Sequence, residues 1–252
     1  MIRSMPHSRT RALAALAVEL TAAGEPTLRE LLARRGGNVD FASGGKMRDM
    51  ASPTLPTATL AKLDGDARVY VLGNGRRTGH EYLYAFDAET GKVLAQRTDG
   101  RVDGVAMPDD LKAAALNRTR RLVMIHNHPD STPFSVGDMD TLATHPGIAG
   151  VAVHGHDGTF WRVAALERGN IGQALLDFRD PIRRTLRNEA AALQGGDLHW
   201  AVGASRLQAL DRAGIVRLET NIDWASHPLA AQVEKIAGVL YPVAMKAKGS
   251  TP

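Results

Sequence analysis

Four consecutive apolar residues, Leu122-Val123-Met124-Ile125, run directly into His126-Asn127-His128-Pro129. An unbroken apolar run of strand length is the pattern of a strand covered on both faces, because a half-exposed strand would alternate with polar residues. Such a strand needs packed layers above and below it, and the flanking sequence supplies them. Val69-Tyr70-Val71-Leu72 and Tyr82-Leu83-Tyr84-Ala85-Phe86 read as short strands, and Val93-Leu94-Ala95-Gln96 pairs back after a turn at residues 87–92. Gly150-Val151-Ala152-Val153-His154 and Phe160-Trp161-Arg162-Val163 close a hairpin around His156-Asp157-Gly158. Between these segments Pro108 opens a helix, with Asp109 and Asp110 in its first turn, that runs to about Arg118; a second helix begins near Ser135. The expected fold is therefore α/β (α+β), a mixed sheet sandwiched by helices.

Both ends read differently from this core. Residues 9–35 carry leucines at helical intervals, from Leu13 and Leu16 to Leu31 and Leu32. Gly36-Gly37, Ser43-Gly44-Gly45, Pro53 and Pro56 make residues 36–57 a linker. After Gly169 helical patterns return, are broken at Gly195-Gly196, and resume over Ser205–Ala213 and Ala230–Leu240. The expected organisation is an N-terminal helical segment and linker (1–65), a core domain (66–170) and a mostly helical C-terminal extension (171–252). A length of 252 residues accommodates this, and 44% hydrophobic content is enough to build a core.

Composition excludes several chemistries. There is no cysteine, so disulfides, thiolate metal sites and cysteine nucleophiles are ruled out, and any metal must be held by His and carboxylates. The apolar run Ala12–Val18 behind Arg9 and Arg11 is interrupted by Glu19, which reads as an amphipathic helix rather than a signal peptide. No stretch approaches the roughly 18–20 apolar residues of a membrane span. These features fit the cytoplasm, with export or delivery from a bacterium as the alternative. The formal charge of +4 comes from dispersed arginines, which reads as a solvated surface; a nucleic-acid partner is permitted but not favoured.

The chemistry concentrates in residues 126–138. Two histidines at i and i+2 at a strand end point to one face, and neutral imidazoles so placed can share one zinc ion. Pro129 stops the strand and Pro133 shapes a short loop that can return a carboxylate as third ligand. The fourth position is then open for water, whose pKa falls towards about 7. Ser135-Val136-Gly137-Asp138 is also an S-x-x-[DE] capping box, a reading compatible with Asp138 facing a metal. His154 and His156 repeat the spacing but flank a glycine-containing turn with no carboxylate loop behind them, and read as surface or turn residues. His145, before Pro146, reads as a helix end. His126-x-His128-x-Asp130 starts the HxHxDH pattern of metallo-β-lactamase-like hydrolases, but Ser131 stands where that pattern requires His.

HxH followed by SxxD resembles the signature of the JAMM (MPN+, JAB) zinc metalloproteases, and His126-Asn127-His128-Pro129 is most similar to their RadC-like bacterial branch. The resemblance spans about residues 66–170, including the Glu81 strand and the final hairpin ending Leu166-Glu167-Arg168-Gly169. Six residues separate His128 from Ser135 where seven are usual, a departure that bears on how Ser135 and Asp138 are placed. The resemblance implies a cytidine-deaminase-like JAB/MPN core with Zn2+ held by His126, His128 and Asp138. It implies that Ser135 stabilises the oxyanion, and that Glu81 activates water and passes its proton to the leaving amine; Glu89, in an apparent turn, is worse placed. The implied activity is a metallopeptidase or isopeptidase acting on a protein or peptide, often a ubiquitin-like or sulfur-carrier protein joined through a flexible tail. The alternative is a catalytically silent MPN/RadC-like scaffold that binds protein or DNA; a full set of ligands, serine and glutamate favours the enzyme. The Gly- and Pro-rich link at 36–57 raises the hypothesis that residues 1–57 inhibit the site; oligomeric state leaves no mark in the sequence.

Overall fold

The structure is a computed structural model that describes residues 55–189, 193 and 195–249. The helix expected over residues 9–35 and nearly all of the linker lie outside the described residues. The elements, in chain order, are α1 (Thr57–Thr78), β1 (Leu83–Asp87), β2 (Val93–Arg97), α2 (Asp109–Leu116), β3 (Leu122–His128), α3 (Val136–Thr144), β4 (Ile148–Gly155), β5 (Phe160–Ala165), α4 (Arg168–Asp177), α5 (Arg179–Glu189), α6 (Gly195–Arg212), β6 (Val216–Thr220) and α7 (Ala230–Gly249).

The six strands form one mixed sheet in the order β2-β1-β3-β4-β5-β6, with β3 and β4 parallel and every other pair antiparallel. β3 lies between β1 and β4, and all seven of its residues are buried. Strand alternation sorts its side chains into two layers. Leu122 and Met124 join the larger core, beneath residues of α2, α3, α4, α6 and α7 such as Leu111, Leu142, Ile171, Leu207 and Leu240. Val123 and Ile125 join a smaller core with Ala67 and Val71 of α1 and with Tyr82, Tyr84 and Phe86. By the same alternation His126 and His128 face the α3 side, and Asn127 faces α1.

One expected strand is absent. Val69-Tyr70-Val71-Leu72 lies inside α1. In a strand Val69 and Val71 would share a face, yet Val71 is fully buried while Val69 is 74% exposed. The pattern that prevails is Leu63, Ala67 and Val71, four residues apart, which makes a helical stripe against the sheet. Local β-propensity yields to that packing. Gly79 ends the helix in the left-handed region, at φ 75°.

Elements and packing run across residues 65/66 and 170/171. α1 runs across the first. Past the second, β6 pairs with β5, from Trp161↔Thr220 to Ala165↔Val216. Trp161, fully buried on β5, meets the rings of Trp200 and Trp224 at centroid distances of 5.6 and 6.0 Å. The described residues beyond 170 are mostly helical and share the core. Among the described residues no helix is long and apolar enough to cross a membrane.

Candidate metal centre

β3 ends in His126-Asn127-His128, and the chain then turns sharply. The Ser131 amide donates to the His128 carbonyl at 3.0 Å, and Ser131 itself has φ 59°, in the left-handed region. Asp130 accepts from the Thr132 amide and hydroxyl at 3.2 and 2.8 Å, holding the turn. The short loop still delivers α3: Ser135 is its N-cap, and the full capping box is present. The Asp138 amide donates to Ser135 Oγ at 3.1 Å, while the Ser135 amide and hydroxyl each donate to Asp138 Oδ2 at 2.8 Å.

This cap aims Asp138 at the histidines. Its Oδ1 lies 3.1 Å from His126 Nε2 and its Oδ2 3.6 Å from His128 Nε2. The two Nε2 atoms are 3.1 Å apart. Glu81, just before β1 and on the same side of the sheet as Leu83, brings Oε1 to 3.8 Å from His126 Nε2. Glu81, His126 and His128, all buried, each offer a ligand atom within 4.8 Å of the others and could hold a metal ion. The five residues expected at the site are thus brought together, with Glu81 as close to the imidazoles as a ligand would be. Glu89 is not among them; its amide caps the β1–β2 turn through Asp87.

The surroundings fit a cation. His128 Nδ1 donates to the Thr132 carbonyl at 2.9 Å, which fixes the tautomer that turns the Nε2 lone pair towards the cluster. Two imidazole nitrogens and the Glu81 carboxylate within 4.8 Å of one another, with Asp138 beside both imidazoles, are a donor set for a metal with mixed nitrogen and oxygen preference. Their protonation is sharply divided. Burial pushes the Glu81 carboxyl up to about 7, with Asp138 adding to the rise and His126 opposing it. Burial acts the same way on Asp138, but His126 and His128, helped by the Ser135 hydroxyl, overcome it and hold this carboxyl well below the usual range. Burial and neighbouring His126 lower His128, whereas for His126 the nearby carboxylates outweigh burial and raise it.

His154 is not a surface residue: it is buried on β4, on the α1 side of the sheet, and stacked on Phe160 at 5.2 Å, with burial pushing it down to about 4. Neither it nor His156 belongs to the metal-holding group. His145 is the C-cap of α3. Three contributors escaped the sequence reading. The Thr132 and Arg101 carbonyls act through the backbone, Arg101 accepting from the Glu81 amide at 2.8 Å, and backbone groups leave no residue signature. The third is Asn127, whose signal was its place on a strand buried on both faces.

Fold and site together define a mixed α/β protein with buried Glu81, His126 and His128 and half-buried Asp138 gathered at the end of its central strand. Comparison of the chain with protein-family models, with curated proteins and with solved structures returns no match in any of the three.

Proposed function

We propose that this chain is a zinc-dependent metallopeptidase or isopeptidase of the JAMM/MPN type, with the sheet as its JAB-like core. The observation that carries the reading is the gathering of Glu81 and Asp138 around the paired imidazoles of His126 and His128. His126, His128 and Asp138 would hold the zinc. When bound, zinc would supply Lewis acidity and lower the pKa of a coordinated water. Glu81, with a carboxyl near neutrality, suits taking a proton from the attacking water and giving it to the leaving amine. Thr132 keeps His128 in its ligating tautomer. Ser135 would turn its hydroxyl from Asp138 Oδ2 to the developing oxyanion, while its own amide, 2.8 Å from that oxygen, keeps Asp138 in place.

The substrate would be a protein or peptide, with a flexible tail of a ubiquitin-like protein as the resemblance suggests. A complete set of groups is what an enzyme needs and a silent scaffold does not. The experiment is cleavage of a quenched fluorescent peptide library, and of ubiquitin-like fusions, by the zinc-loaded chain. The reading expects cleavage that a chelator abolishes and that Glu81→Gln loses while keeping its metal. Cleavage that persists in Glu81→Gln would remove the general-base role. A zinc-loaded chain that cleaves none of these would favour the scaffold.

A further inference from the structure

We infer that Asn127, between the two histidines in sequence but on the opposite face of β3, is the positioning residue that sets Glu81, and that Gly75 of α1 is what leaves room for it. The inference deepens the proposed function and rests on it for what Glu81 does. Asn127 is fully buried. Its Oδ1 accepts from the Tyr82 amide at 2.8 Å, and its Nδ2 donates to the His80 carbonyl at 3.0 Å. These backbone groups lie immediately on either side of Glu81. The side-chain amide thus stands in for a peptide group of a neighbouring strand, beyond the point where the β1–β3 ladder begins at Leu83↔His126. With the Glu81 amide bound to the Arg101 carbonyl, three successive residues are held by their backbones.

The clamp has a backing. Asn127 Nδ2 also lies 2.9 Å from His156 Nε2, which must accept, so the His156 ring is held neutral with its proton on Nδ1. On the other side α1 passes so close that a Cβ on Gly75 would sit 2.4 Å from Asn127 Nδ2 and 2.8 Å from His156 Nε2. Gly75 is helical, so its absent side chain answers to space rather than to backbone angle. One strand therefore serves the site from both faces: His126 and His128 carry the donors, and Asn127 fixes the backbone that carries the carboxylate.

Two variants test this from opposite sides, Asn127→Ala and Gly75→Ala, each alone and combined with Glu81→Gln. The first readout is hydrogen exchange at the Tyr82 amide in metal-free protein. The second is cobalt(II) stoichiometry and the visible spectrum of the cobalt-loaded chain. We expect Tyr82 exchange about tenfold faster in both variants, the scale of one lost hydrogen bond. We also expect one cobalt per chain to be retained, with the spectrum displaced as in Glu81→Gln and no further displacement in the double variants. A residue that merely supports the fold would speed exchange throughout β3 and add its effect to that of Glu81→Gln. That result, unchanged Tyr82 exchange, an unchanged spectrum or loss of cobalt would each overturn the assignment. A wild-type chain that takes up no cobalt would defeat the metal reading, and Tyr82 exchange would still decide the clamp. Should Asn127→Ala not fold, Gly75→Ala decides alone.

Discussion

Glu81 and Asp138 flank the same imidazoles, yet their proton affinities diverge because one is solvated by the protein and the other is not. Asp138 accepts from the Ser135 amide and hydroxyl and lies 3.1 Å from His126, whereas Glu81 meets His126 only at 3.8 Å. A carboxyl raised to about 7 binds its proton more tightly in the folded than in the unfolded chain. Its contribution to stability is thus complete below about pH 4.5 and is lost as pH rises through about 7. In the metal-free protein, stability relative to Glu81→Gln should fall by about 2–3 kcal/mol between pH 4.5 and pH 8. Urea unfolding at each pH measures it, and a flat difference would contradict the burial argument. His126, His128, Ser135 and Asp138 were legible because they fall within one short segment whose spacing encodes the geometry. Asn127 was not, because its partners at residues 80 and 82 are brought to it by the pairing of β1 with β3.

At the scale of elements, α1 shows where local reading fails. Val69-Tyr70-Val71-Leu72 has strand chemistry, and only the sheet beneath it selects the helical stripe Leu63, Ala67, Val71. Val71→Asp should therefore leave an unpaired buried charge and cost several kcal/mol, whereas Val69→Asp should stay within about 0.5 kcal/mol. Thermal unfolding of both separates helix from strand, since a strand would make the two equally costly. The β4–β5 pair offers a second test. His154, fully packed against Phe160, is pushed down to about 4, so the fold favours its neutral form. That stability is present above about pH 6.5 and is lost as pH falls towards 4, by up to about 3 kcal/mol. His154→Leu should remove this acid sensitivity; an unchanged acid limb would show that His154 does not contribute to it.

Across the whole molecule, the sequence predicted a mixed sheet between helices, and most strands of the core fell within a residue or two of their places. It did not show that β6, α6 and α7 complete that core. β6 is five residues long and half-exposed, with no apolar run to mark it, and the three tryptophans that meet across the boundary are far apart in sequence. A chain cut after residue 170 loses β6, Trp200 and Trp224 together and uncovers Trp161. It should fail to unfold cooperatively and should expose apolar surface to a hydrophobic dye. In the full chain, Trp161→Ala should cost about 3–5 kcal/mol.

β3, α3 and the segment before β1 together assemble the proposed metal centre. The most direct test is the zinc content of the purified chain beside His126→Ala and Asp138→Ala, measured by mass spectrometry after dialysis against trace zinc. About one zinc per chain is expected, with both variants folded and empty. Zinc kept at full stoichiometry by His126→Ala, or none in the wild-type chain after refilling, would contradict it.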